Sequence, residues 1–319
     1  MPDDKTYDCL VVGGGPAGLT TALYLRRLHR QVLLVDEGAS RARWIDCTRN
    51  YPGFPDGISG EELLQRMKRQ LEGAGGAVRS ACVEALEPRP GGGFIAQLGD
   101  SQVSARTVML ATGVVDRVPA LPGLDAVRAA GRLRQCPICD GHEHSRQRAA
   151  VLGSGAHAAG EALFLAELGC EATLVAIADD GDPPVLERDL AGRLRALDVR
   201  IAPRPAVAAG IGADGCVELR LDGGAWIEVD VVYTALGVEP RVRLAQALGA
   251  GLDAGGKLLV DARCRSTLAG LYAAGDVVDS LDQLAVATGQ GAIAAAAIHR
   301  QLREAGLLPT PEAPPATRR

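Results

Sequence analysis

Residues 7–36 read YDCLVVGGGPAGLTTALYLRRLHRQVLLVD, and their order decides the fold. An apolar run from Tyr7 to Val12 leads into Gly13-Gly14-Gly15-Pro16-Ala17-Gly18, then a helical pattern through Leu19, Leu23, Leu25 and Leu28. A second apolar run, Val32 to Val35, ends at Asp36. The order is strand, glycine turn, helix, strand, acid, which is the start of a nucleotide-binding α/β unit. Gly13 suits the tight turn, Gly15 lets backbone approach a pyrophosphate, and Gly18 lets helix and strand pack closely. The helix N-terminus offers its unpaired N–H groups to the phosphates. Asp36 follows Gly18 by 18 positions, where a carboxylate can accept the ribose hydroxyls.

The pattern recurs at a constant offset of 140. Gly13 falls on Gly153, Gly15 on Gly155, Gly18 on Ala158, Leu23 on Leu163, Leu25 on Leu165 and Val35 on Val175. Two dinucleotide-type units follow, the second with a possible nucleotide site at Gly153, Gly155 and Ala158. Asp36 falls on Ala176, so the second unit lacks the ribose acid. Downstream stand Asp179, Asp180 and Asp182, with no arginine before Arg188. Three carboxylates would repel the 2′-phosphate of NADPH. Two readings stay open: a weak NADH site, or an empty structural module.

The chain has 319 residues, room for about two domains, with 47% hydrophobic residues for their cores. A net charge of −5 argues against nucleic acid or an anionic membrane as partner. No apolar run approaches the ~18 residues of a membrane span. Met1 to Lys5 carries the wrong charge for a signal peptide. The eight cysteines therefore do not read as a secreted disulfide framework. Cys9, Cys47, Cys82, Cys170, Cys216 and Cys264 are isolated and read as small buried hydrophobes. Cys136 and Cys139 form a CxxC pair, CPICDG, that can open and close as a small disulfide ring. Arg132 and Arg134 lie just upstream, and Asp140 is an adjacent proton donor and acceptor or a helix cap. Zinc is the weaker reading, with only His142 and His144 at hand as further ligands. Toward the C-terminus, Val231 to Gly237 reads as a buried strand before a turn with Pro240. Leu271 to Asp276 repeats strand, turn and acid, and Gln283 to Ala297 reads as an alanine-rich helix. Pro309 to Arg319 reads as a disordered tail.

Taken in order, GGGPAG at 13–18, NYPGFPDGISGEELL at 50–64, ATG at 111–113, CPICDG at 136–141, GSGAHA at 153–158 and AAGDV at 273–277 cover nearly the whole chain. This set resembles the low-molecular-weight thioredoxin reductases among the flavoprotein disulfide reductases. The resemblance implies an α/β fold of two Rossmann-like three-layer nucleotide-binding domains, the second inserted into the first. It implies an FAD domain of residues 1–117 and 246–319, and an inserted NAD(P)-binding-like domain of 118–245 carrying the CxxC. FAD is then held by Gly13, Gly15, Pro16, Ala17, Gly18 and Asp36, with Ala111, Thr112, Gly113 and Gly275. Asn50 and Gln283 approach the flavin and Asp276 the ribityl chain. Cys139 becomes the flavin-facing thiol, Cys136 the interchange thiol and Asp140 the acid and base. A thioredoxin-like protein or a small dithiol or disulfide is the implied partner of a cytoplasmic homodimer whose inserted domain rotates.

Two departures stand against the family pattern. The places of its NADPH-binding histidine and arginines hold Ala176, Ile177, Ala178 and Asp182, which makes NADPH a poor donor; Asp282 stands where an arginine is usual. Three alternatives follow: a dithiol oxidase using oxygen, a ferredoxin-dependent reductase, and a non-turnover flavin redox sensor. The oxidase subgroup places histidine directly after the second cysteine, whereas this chain keeps Asp140, with His142 two positions further on.

Overall fold

A computed structural model describes residues 6–177 and 188–311. The chain divides into two compact units: residues 1–115 with 240–319, and residues 116–239.

In the first unit, strand Thr6–Val12 pairs in parallel with Val32–Asp36 on one side and Ser101–Leu110 on the other. Val78–Ser80 extends the sheet beyond Val32–Asp36, and Leu271–Ala273 pairs in parallel with Ser101–Leu110. An antiparallel hairpin, Ala85–Pro88 with Phe94–Leu98, also packs on Ser101–Leu110. Alternate residues of the central strands serve opposite faces. Leu10, Val12, Val108 and Leu110 enter one core cluster, while Cys9, Val11 and Met109 enter the other with Leu19 and Leu25 of helix Pro16–Arg27. Strands buried on both faces read as continuous apolar runs, which is why the sequence shows runs rather than alternation.

Helix Leu284–Glu304 packs on helix Pro16–Arg27 and is longer than the alanine run that announced it, with Gln283 as its N-cap. A Cβ on Gly291 would stand 2.5 Å from Ala17 O, so only glycine permits this helix contact. Val242, Leu244 and Ala245 join the core of this unit. Pro240 closes a short strand, Val238–Pro240, rather than a turn; proline fits there at a strand terminus.

The second unit has a five-stranded parallel sheet: Arg200–Ile201, Glu171–Val175, Arg148–Leu152, Val231–Thr234 and Leu133–Arg134. Ala150, Leu152, Val175 and Val232 face one cluster; Ala149, Val151, Leu174 and Tyr233 face the other, with Leu163 and Leu165 of helix Gly155–Glu167. A three-stranded antiparallel sheet, Ala206–Ile211, Val217–Leu221 and Trp226–Val229, supplies Leu219 and Val229 to the first of these clusters.

Cys9, Cys170, Cys216 and Cys264 are buried as expected, but Cys47 is half-buried and Cys82 exposed. Cys82 directly follows the short edge strand Val78–Ser80 and an irregular segment, where no second layer covers it. Met1–Lys5, the Ala178 to Asp182 departures and most of the C-terminal tail lie outside the described residues. Among the described residues, no helix is long and apolar enough to cross a membrane.

Candidate functional site

In the first unit the glycine turn is built by close approach. Gly13, at φ +106°, would carry a Cβ 2.3 Å from Ala111 O, and a Cβ on Gly18 would stand 1.9 Å from Gly13 O. No side chain fits either place. Gly15 is the N-cap of helix Pro16–Arg27, and a Cβ there would meet only Ser40 Oγ, at 3.3 Å. The backbone over Gly15 is therefore open, as a pyrophosphate requires. Buried Asp36 accepts a hydrogen bond from Gly14 N at 2.9 Å, which fixes its carboxylate beside the turn.

The other predicted cofactor residues of this unit come from three segments, around Asn50, at Ala111 to Gly113 and from Gly275 to Gln283. Ala111 N donates to Val12 O at 2.8 Å, and Thr112 Oγ1 donates to Arg241 O at 2.7 Å, holding the segment through Gly113 (φ +66°) at the strand end. Gly275 (φ +80°) donates its N–H to Gln290 Oε1 at 2.8 Å. Asn50 Nδ2 donates to Gln283 Oε1 at 3.0 Å, so these two residues, far apart in sequence, meet.

Asp276 accepts from Arg41 Nη1 at 3.1 Å. Burial and then the nearby Asp282 push the Asp276 carboxyl above the usual range, and Arg41 opposes the rise. Asp282, in place of the usual arginine, pairs with Lys257 at 2.8 Å and lies 3.8 Å from Arg41. A positive residue has thus become the negative link of an alternating charge chain, Lys257, Asp282, Arg41, Asp276. Ser280 Oγ, on the same loop, is buried with no hydrogen-bond partner among the described residues. An orphaned buried hydroxyl on this loop, and in the same unit a helix N-terminus whose Gly15 backbone is open, fit a bound dinucleotide. Sequence reasoning missed Arg41, Lys257 and Gln290, because their partners lie in distant segments.

In the second unit Cys136 and Cys139 form a disulfide, with Cα atoms 5.3 Å apart. Cys136 is the N-cap of the short helix Pro137–Asp140. Asp140 stands at that helix's last position and does not cap it. Its Oδ1 accepts from Tyr233 Oη at 2.9 Å and its Oδ2 lies 3.0 Å from Arg134 Nε. Burial pushes the Asp140 carboxyl upward, while Tyr233, Arg134 and His144 pull it back. His144 meets the Tyr233 ring edge-on at 6.1 Å between centroids and contacts Gln147 at 2.7 Å; His142 is exposed. A Cβ on Gly141 would strike Pro137 O at 2.5 Å and Leu168 Cδ1 at 2.8 Å, so glycine seats the redox turn against helix Gly155–Glu167. Among the described residues, no group of three or more His, Cys, Asp or Glu side chains is placed to share a metal. Sequence reasoning missed Tyr233, and reads Arg134 only as a positive group upstream of the pair and His144 only as a weak zinc ligand.

The second glycine turn follows its own path. Gly153 lies at φ +153°, a Cβ there would approach Ala235 O to 2.7 Å, and Gly155 lies at φ +71° with nothing within 4 Å of an added Cβ. Ala158 is fully buried, and Ala176 directly follows strand Glu171–Val175 at the place where the first unit's strand ends on Asp36.

Two glycine-turn α/β units in one chain, one of them bearing a disulfide-bonded CxxC, define a nucleotide-dependent disulfide oxidoreductase. Residues 7–291 match the family described as pyridine nucleotide-disulphide oxidoreductase, and the chain belongs to that family. It is 34% identical over 312 residues to the bifunctional thioredoxin reductase/thioredoxin of Mycobacterium leprae (strain TN), covering 94% of this chain and 67% of that protein. It is 31% identical over 309 residues to the thioredoxin reductase of Mycolicibacterium smegmatis, covering 93% of this chain and 97% of that one. The crystal structure of thioredoxin reductase from Streptococcus pyogenes MGAS5005 superposes with a TM-score of 0.85 at 29% identity, covering 94% and 99% of the two chains. These similarities favour a thioredoxin-reductase-type disulfide oxidoreductase over the oxidase, ferredoxin-dependent and sensor alternatives.

Proposed function

We propose that the chain passes electrons from a reduced nicotinamide, through FAD and the Cys136–Cys139 disulfide, to the disulfide of a thioredoxin-like protein. The observation that carries this reading is the disulfide-bonded CxxC with a half-buried carboxylate at the next residue that Tyr233 and Arg134 both approach. Gly13, Gly15, Pro16, Ala17 and Gly18 would bind the FAD pyrophosphate and Asp36 the ribose. Asp276 would take the ribityl chain, and Asn50 and Gln283 the flavin edge, with Ala111 to Gly113 and Gly275 lining the cradle. When bound, FAD would take two electrons from the nicotinamide and relay them to the disulfide.

Opening yields a thiol and a thiolate, and Asp140 gives or takes the proton that separates them. The Cys136 thiolate attacks one sulfur of the partner disulfide, forming a mixed disulfide and releasing a partner thiolate. Cys139 then attacks Cys136 Sγ; the Cys136–Cys139 bond re-forms and the second partner thiolate leaves. Two electrons have moved to the partner, and its two thiolates take up protons.

In the second unit Gly153, Gly155 and Ala158 would seat the nicotinamide dinucleotide. The strand end at Ala176 and Ile177 offers neither a carboxylate for a ribose nor a cation for a 2′-phosphate, which supports a donor site that does not prefer NADPH. A homodimer in the cytoplasm completes the proposal.

The test is rapid-mixing reduction of the FAD-loaded protein by NADPH and NADH side by side, followed by oxidised thioredoxin. Thioredoxin thiols are expected to appear, and to vanish in Cys136→Ser. A flavin that reduces while the Cys136–Cys139 pair exchanges with no dithiol protein would overturn the function. Fast, saturable reduction by NADPH at low concentration would overturn the donor reading.

A further inference from the structure

The carboxylate beside the CxxC is held by a tyrosine from a distant strand and by an arginine two residues before the motif. Tyr233 lies mid-strand in Val231–Thr234, fully buried, with its ring on the helix-facing side of the sheet. A buried tyrosine hydroxyl needs a partner, and this one donates to Asp140 Oδ1 at 2.9 Å. Arg134, at the end of the neighbouring parallel strand Leu133–Arg134, approaches the other oxygen, Oδ2, at 3.0 Å. The hydroxyl donor and the guanidinium charge come from adjacent strands paired Tyr233 with Arg134, so one register delivers both to one carboxylate. Each oxygen keeps a lone pair on which a proton can sit.

We infer that Tyr233 and Arg134 are positioning residues for disulfide exchange: they clamp Asp140 in one orientation beside Cys139 and set the pH at which it trades its proton with the CxxC thiols. The inference rests on the function proposed above. In the exchange, a protonated Asp140 delivers its proton to the thiolate released on opening, and the ionised carboxylate takes it back when a thiol turns nucleophile; no other co-reactant enters. Arg134 faces a neutral acid in one half of this cycle and a carboxylate in the other, so its charge favours the ionised half. Tyr233 donates to the carboxylate in the same sense. The other groups facing Asp140 are His144 and Glu143 on its own segment. Cys170, which donates to His144 O at 3.2 Å, lies near Tyr233, and helix Gly155–Glu167 with its C-cap brings uncharged Leu165 and Leu168 against Gly141.

The experiment uses the FAD-loaded protein, its CxxC pre-reduced with dithionite, mixed once with glutathione disulfide across pH 5 to 9. Oxidation of Cys136 and Cys139 is read by differential alkylation and peptide mass, so the exposed Cys82 does not contribute. Tyr233→Phe keeps the ring and removes the donor. The inflection of the rate profile is expected to move up by about 0.5 to 1 pH unit, which is roughly three- to tenfold slower exchange below the inflection and an unchanged plateau above it. Arg134→Gln, at a half-buried strand end, should move the inflection the same way and serves if the buried variant does not fold. In an Asp140→Asn background, Tyr233→Phe should move nothing. A purely structural role would lower thermal stability and leave the profile in place. An unmoved inflection in either folded single variant, or an equal shift on the Asn background, overturns the inference. Glutathione disulfide needs no protein partner, so failure here is separate from failure to reduce thioredoxin.

Discussion

The two nucleotide-type units agree as far as their backbone hydrogen bonds. Gly13 N donates to Val35 O at 2.8 Å and Gly153 N to Val175 O at 3.0 Å; Arg30 N and Cys170 N close the two helices on Leu25 O and Leu165 O, both at 3.0 Å. Each bond in one unit is the other's displaced by 140 positions. Beyond that point the units part. The first ends its strand on Asp36, locked to Gly14 N, and packs Gly18 so tightly that no methyl fits. The second ends on Val175, with Ala176 just beyond it, and holds a methyl at Ala158 because its turn, with Gly153 and Gly155 at different φ, takes another path. Matching backbone hydrogen bonds and apolar runs repeat the fold; the residue at the strand end is where the two units differ chemically toward a dinucleotide.

Asp36→Ala makes the first unit like the second and gives the largest expected effect. Removing a charged hydrogen-bond acceptor should weaken FAD binding roughly 10- to 100-fold, read as flavin absorbance retained per protein after ultrafiltration. Asp36→Asn keeps an acceptor for Gly14 N and separates the two roles: its fold should hold while its FAD affinity falls. If Asp36→Ala retains a full complement of flavin, the contrast between the units has no functional meaning. Ala176→Asp runs the exchange the other way. A carboxylate at the second strand end should improve the apparent affinity for NADH about tenfold and leave NADPH no better. Equal gains for both nucleotides would show that the new carboxylate does not meet the ribose.

The contrast was readable from residues 7–36 and their echo because both units depend on local chemistry. Glycine positions, apolar runs and the acid at 36 are all set within one supersecondary unit. What escaped depends on sheet register and on distant packing. Tyr233 looks like one more apolar member of a buried strand, and only pairing with strand Leu133–Arg134 brings its hydroxyl to Asp140. Arg41 and Asp276 meet from loops that share no pattern, as do Lys257 and Asp282. The last helix outran its alanine signature because Ile298 and Leu302, past the run's end, bury themselves in the first unit's core. Cys82 broke the rule for isolated cysteines since an irregular edge segment leaves it uncovered.

The smallest expected effect comes from a difference inside the two matching helices. Thr21 of the first lies within 2.9 Å of Ala17 O and 3.1 Å of Gly291 O, so its hydroxyl is satisfied by its own helix and the one packed on it. The same offset places Glu161 on the second helix. One of its oxygens lies 3.3 Å from His157 Nε2, while Oε2 is buried with no partner among the described residues. Burial pushes the Glu161 carboxyl up to about 7 from 4.5. The folded protein therefore keeps a proton that the unfolded chain has already lost between these values. Stability contributed by this group is present at pH 4.5 and is lost as pH rises toward 7, with no further change above. The side chain keeps 18% of its exposure, so about 1 kcal/mol is expected rather than the full conversion of the shift. Glu161→Gln carries no charge to bury, and its melting temperature relative to the unaltered protein should rise from pH 5 to pH 8. A difference that is the same at both pH values would place the burden of the orphan oxygen elsewhere, and would leave Asp36 against Ala176 as the main distinction between the units.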